Sequence, residues 1–196
     1  MTQVFKEMKR KHGKKTILAY LNINSYRYKS CNVMELLNGR YWDMMCIAET
    51  KLDESFPDSQ FHCNEYTMYR RDGPSSSSGG LIVYVSSSVS SRRRKDLEPP
   101  NTECIVIQQI HNKKKALFFI CYRAPRNNAQ SYLHALSLSI DKALCENNII
   151  TVIGNLNQNM LQSTASKDLQ LTTKLLAPTP VFPLNSSIAP TPKPCY

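Results

Sequence analysis

The sequence predicts an α/β fold with mixed sheets, and three features predict it. Short segments rich in β-branched and aromatic residues recur along the chain; two stretches between them carry apolar residues at helical spacing. Their order places strand, helix and strand at each end, with a run of strands between.

Taken in order, the strands are TILAYLNI, DMMCIAET, EYTMYRR, GGLIVYVSS, TECIVIQQI, KALFFICYR and NNIITVIGN. A helix over Cys31 to Asn38 places Val33, Leu36 and Leu37 on one face, and a longer one from about Gln130 to Glu146 does the same with Leu133, Leu136, Ile140, Ala143 and Leu144. The segment GPSSSSGG, Gly73 to Gly80, reads as a flexible surface loop, and RRRKDLEPP, from Arg92, as a charged one. Residues 1–15 read as a basic flexible N-terminus and 16–176 as the folded unit. The proline-rich 177–196 reads as a disordered tail, with a helix conceivable over Lys167 to Leu176.

Composition sets the bounds. The chain has 196 residues, 41% of them apolar, enough for the core of one domain. A net charge of +10 favours a polyanionic partner such as nucleic acid. The seven cysteines form no C-x-x-C pair, which argues against a zinc site. Cys46, Cys104 and Cys121 lie in apolar runs, as small buried hydrophobes do, so a reducing compartment without a disulfide framework or a disulfide-linked partner is expected. No run reaches the length of a membrane span, so no membrane is expected as a partner. The expected location is intracellular. Lys6, Lys9, Arg10, Lys11, Lys14 and Lys15 admit nuclear import, although a solvated basic end is the commoner reason for such a run.

Four strands finish in polar groups: Asn22 and Asn24, Glu49, Tyr122 and Arg123, and Asn155 and Asn157. Ligands of α/β sheets collect beyond the carboxyl ends of strands, so these residues form a site if their strands end at one edge. Asn also ends strands merely because it forms turns. Order and wording together resemble the endonuclease/exonuclease/phosphatase family, in particular the endonuclease domains of LINE-type retrotransposons. LNINS, IAETKLDESFPDSQF, YTMYRRD with GGLIVYV, CYRAP and VIGNLNQNM follow the family's order over roughly residues 17 to 161.

This resemblance implies an incomplete DNase I-like α/β sandwich of two mixed β-sheets flanked by helices, with the last strands missing. It implies Glu49 as a Mg²⁺ ligand with Asn22 beside it, since a hard cation takes carboxylate oxygen. Tyr122 would hydrogen-bond the scissile phosphate, and Asn157 would donate to its oxygens. Asn155 stands where the family has an Asp that orients and deprotonates water. An amide keeps the shape of a carboxylate and loses its basicity. The family's closing S-D-H motif has no counterpart, because all four histidines precede Asn155 and the only acid after it is Asp168. The expected function is a metal-dependent DNA endonuclease scaffold, retrotransposon-derived and catalytically impaired. The alternatives are a non-catalytic nucleic-acid-binding remnant and a phosphatase of the same family. DNA contacts through the phosphate backbone are expected from Arg70, Arg71, Arg123, Lys113, Lys114 and Lys115, with the Arg92 to Lys95 run in support.

Overall fold

The structure is a computed structural model that describes residues 2–13, 15–75, 77–111, 114–146 and 149–157. The expected proline-rich tail, the helix over Lys167 to Leu176 and Lys113 lie outside them. The chain divides into two compact units, the first ending at Ser90 and the second beginning at Ser91.

In the first unit β1 (Leu18–Asn22), β2 (Met44–Ala48), β3 (Tyr66–Arg71) and β4 (Leu81–Ser86) form a sheet in the order β1-β2-β4-β3. β1 and β2 are parallel, joined through helix α2 (Ser30–Asn38), while β4 runs antiparallel to both its neighbours. The alternation of the strands decides what the helices cover. Ala19, Met45, Ile47, Tyr66, Ile82 and Tyr84 form one core with Val33 and Leu37 of α2. β2 is buried along its whole length, which is why it reads as a continuous apolar run and not as an alternating one.

The N-terminus departs from expectation. Thr2–His12 is a helix, α1, and not a flexible end. Phe5 is buried, with its ring 4.9 Å from Trp42 and 5.6 Å from Tyr41. Lys9 pairs with Asp43 at 2.9 Å, and Asp43 also accepts from the Ile17 backbone at 2.7 Å. Lys9, Arg10, Lys11 and His12 occupy the last turn, where positive charge suits the helix dipole.

The second unit repeats the plan. β5 (Ser91–Arg93), β6 (Glu103–His111), β7 (Lys114–Tyr122) and β8 (Ile149–Asn155) lie in that order, with the parallel pair β7 and β8 joined through α3 (Ala129–Leu144). Asn128 caps α3 by accepting the Ser131 N–H at 2.9 Å. Tyr132, Leu136, Ile140 and Ala143 pack on Val106, Leu117 and Phe119, with Ile150 and Val152 at the margin. The charged loop expected from Arg92 is in part a strand, β5, and two of its arginines are ion-paired. Arg93 meets Glu98 at 2.6 Å, and Arg94 donates to Asp96, Glu146 and Gln108 at 2.7 to 2.9 Å. The hydrogen bonds from Arg94 hold the Asp96 carboxyl below its ordinary range.

Among the described residues Cys46, Cys63, Cys104 and Cys121 are buried thiols and Cys145 is an exposed one. Among the described residues no helix is long and apolar enough to cross a membrane.

Two outcomes check the first unit. Phe5→Ala removes an aromatic contact from the single tryptophan and should cost about 3 kcal/mol. Trp42 emission should shift to the red while most of the helical signal stays; an unshifted spectrum would mean that α1 does not dock there. Burial raises the phenols of Tyr26 and Tyr66 from 10.0 to about 12, so the folded state holds these protons more tightly than the unfolded state does. Their stabilising contribution is complete below pH 10 and is lost as pH rises through about 12. Urea midpoints should therefore fall across that window, and a flat profile would contradict the burial.

Candidate active site

The site residues fall into two groups, one in each unit. In the first unit Asn22 ends β1 and Glu49 directly follows β2, and the parallel register sets Asn22 opposite Ala48. The two side chains meet: Asn22 Nδ2 donates to Glu49 Oε1 at 2.6 Å. Asn22 Oδ1 accepts from the Asn24 N–H at 3.2 Å, so the amide is oriented by its own turn.

What places Glu49 is the backbone. Its φ is +55°, in the left-handed region that non-glycine residues rarely enter, and Asn24 and Lys51 are also left-handed, at +48° and +53°. Such a conformation persists only where the surroundings over-determine it. Here they do: the Ser25 N–H donates to the Glu49 carbonyl and the Tyr26 N–H to the Thr50 carbonyl, both at 2.8 Å. On the other side Thr50 donates to Gly80 at 3.3 Å and Lys51 to Gly79 at 2.9 Å. Gly79 and Gly80 are buried, at φ 71° and 90°, and a Cβ on Gly80 would strike the Thr50 hydroxyl. The GPSSSSGG segment is thus not simply a flexible surface loop, because its last two residues brace the backbone beside Glu49. Tyr26 anchors this stretch from below, with its hydroxyl 2.9 Å from that of Tyr84, which donates to the Phe61 carbonyl at 2.8 Å.

In the second unit Tyr122 and Asn155 are direct partners in the parallel pairing of β7 and β8. Tyr122 is buried. Asn155 Oδ1 accepts the Asn157 N–H at 2.9 Å, closing a turn that carries Asn157 at φ +46°. Asn157 Nδ2 then donates to the Arg123 carbonyl at 2.7 Å. Gly154 permits the close approach of β8 to β7, since a Cβ there would collide with the Cys121 carbonyl.

Arg123 holds this loop. The residue is buried, 4% exposed, and its guanidinium donates to the carbonyls of Leu156 and Asn157 at 2.7 Å and of Asn127 at 2.5 Å. Arg70 has the same kind of task in the first unit. All five of its N–H groups meet acceptors: Asp72 twice, Asp58, and the carbonyls of Asp53 and Phe56. For both residues the guanidinium fork is already filled by the protein's own acceptors, which gives each a structural role in its unit. Arg71 is half-buried, Lys114 begins β7 and Lys115 is exposed. Among the described residues no group of three or more His, Cys, Asp or Glu side chains is placed to hold a metal.

No family model matches the chain, and no curated protein matches it. Solved structures do. The catalytic domain of APE2 from Xenopus laevis aligns with a TM-score of 0.58 at 13% identity, over 82% of this chain and 68% of that one. The endonuclease domain of TRAS1, a telomere-specific non-LTR retrotransposon, aligns with a TM-score of 0.56 at 9% identity, over 82% and 69%. An AP endonuclease from Archaeoglobus fulgidus gives 0.53 at 17%, over 82% and 69%. These proteins are members of the endonuclease/exonuclease/phosphatase family, and the chain carries their DNase I-like fold, with mixed four-stranded sheets and flanking helices.

The Arg123 clamp is testable. A lysine keeps the charge but cannot reproduce the fork, so Arg123→Lys should cost about 2 kcal/mol or more. Amide exchange at Leu156 and Asn157 should accelerate ahead of exchange in β7; unchanged protection there would contradict the clamp.

Proposed function

We propose that the chain is a divalent-metal-dependent phosphodiesterase scaffold of the DNA endonuclease type, derived from a retrotransposon, in which turnover is impaired. The observation that carries the metal part of this reading is the Asn22–Glu49 pair at 2.6 Å on a backbone fixed from both sides. Mg²⁺ needs few protein ligands, often one or two carboxylates, and takes its remaining oxygens from water and substrate phosphate. Glu49 fits that demand. Glu49 would hold the ion, which supplies neutralisation of charge on a phosphate oxygen. Asn22 keeps the carboxylate in one orientation, so no reorganisation is needed when charge develops.

The impairment rests on Asn155. Its amide accepts the Asn157 N–H as a carboxylate oxygen would, so the turn is kept. It cannot take a proton from water at neutral pH. Loss of a general base costs about 10² to 10⁴ in rate. Tyr122 and Asn157 would contact phosphate, which positions a substrate and does not replace the base.

A second reading, a nucleic-acid-binding remnant, is favoured by the net charge of +10. With Arg70 and Arg123 committed to their own units, its phosphate contacts would fall to Arg71, Lys113, Lys114 and Lys115.

One experiment addresses both readings. The purified 196-residue chain, its Glu49→Ala variant and its Asn155→Asp variant are incubated with supercoiled plasmid and Mg²⁺. No Glu49-dependent nicking is expected from a demonstrably folded sample, nor any from Asn155→Asp, because no histidine follows position 134. Nicking that disappears with Glu49→Ala would contradict the impairment. Duplex binding should weaken steeply with salt, with a slope of about −0.9 per neutralised phosphate, and salt-insensitive binding would remove DNA as the partner.

A further inference from the structure

We propose that Cys104 and Cys121 form a paired-thiol site that closes to a disulfide under a peroxide. Cys104 on β6 and Cys121 on β7 are direct partners in the antiparallel register, and their sulfurs lie 3.6 Å apart. Both are reduced and fully buried in the core beneath α3. The pair lies one residue from Tyr122, and the Cys121 carbonyl is the atom against which Gly154 packs.

The geometry is close to what the bond needs. Residues directly opposite on antiparallel strands have Cβ atoms about 4.5–5.5 Å apart, and a disulfide needs about 3.5–4.5 Å. Closure therefore asks for a small approach of β6 to β7 and side-chain rotation that brings the sulfurs together. A bond made by such a pinch is strained and returns readily to dithiol.

Burial selects the oxidant. A mixed disulfide with a bulky thiol has no room in this core, whereas hydrogen peroxide is near the size of water and enters during local opening. The sulfur of one cysteine, as thiolate, attacks a peroxide oxygen; the O–O bond breaks, hydroxide leaves and takes up the thiol's proton as water, and a sulfenic acid remains. The second sulfur then attacks the first, forming S–S and breaking S–O, and a second water leaves with its proton. Two thiols are oxidised by two electrons and one peroxide is reduced to two waters.

The test uses the full reduced chain and hydrogen peroxide, followed by unfolding, alkylation and peptide mapping. The exposed Cys145 reports that oxidant was effective. The expected result is a linked Cys104 and Cys121 peptide pair, two hydrogens lighter than the separate peptides, that dithiothreitol separates. The urea midpoint of the oxidised chain should return to that of the untreated chain on reduction, as a reversible cross-link within the second unit requires. Cys104→Ser should leave Cys121 unlinked. Recovery of both cysteines as alkylated thiols from native chain whose Cys145 has been oxidised would overturn the proposal, as would linkage seen only when peroxide is added to unfolded chain. Both outcomes are read on the unsubstituted protein, so they stand whether or not the serine variant folds.

Discussion

Where β2 and β8 end, backbone carbonyls and N–H groups still need partners although the chain is leaving its ladder, and leaving a buried one unpaired costs roughly 1–3 kcal/mol. In the first unit the answer is backbone to backbone. Ser25 and Tyr26 on one side, and Gly79 and Gly80 on the other, hold the left-handed Glu49 segment between them. In the second unit the answer is a buried guanidinium, with Arg123 gathering the carbonyls that the loop after β8 leaves open. A polar side chain can be presented rigidly from such an end only because the backbone beneath it is satisfied.

This constraint explains why the candidate site residues tolerate unfavourable local conformations. Glu49 and Asn157 both have positive φ, which in isolation costs about 1–3 kcal/mol per residue. The surrounding packing offsets it. The Tyr26 and Tyr84 hydroxyls form a buried chain to Phe61, and Phe61 in turn packs edge-on against Tyr26, with ring centres 5.0 Å apart. The stretch that carries Glu49 is therefore tied to the core through residues that do no chemistry. Asn155 shows the same separation of shape from chemistry: its amide closes the turn as well as a carboxylate would, yet it has no basicity to offer.

The strands were legible because their apolar runs are long and β-branched, and both crossover helices were legible from spacing. The N-terminal helix was misread because a run of six basic residues dominates that stretch, although Phe5 and Met8, three apart, carry the amphipathic signal that docks it. β5 has only three residues, too few for any period to register. The partnership of Asn22 and Glu49 could be read from the order of motifs. The roles of Arg70 and Arg123 could not. The carbonyls that Arg123 binds on Leu156 and Asn157 are 33 and 34 residues away in sequence, and a backbone carbonyl has no residue signature at all. Sequence shows which arginines exist; only folding shows which are already neutralised or filled.

The account turns on Glu49 as the carboxylate proposed to hold a divalent ion, in a chain whose Asn155 has no basicity to offer. Mn²⁺ titration followed by amide NMR tests this most directly, because a bound paramagnetic ion broadens only nearby signals. The predicted result is selective broadening of the Asn22 side-chain amide and the Ser25 N–H, abolished in Glu49→Gln, which keeps the shape and loses the charge. Broadening that persists in Glu49→Gln, or none in the unsubstituted chain, would contradict the account.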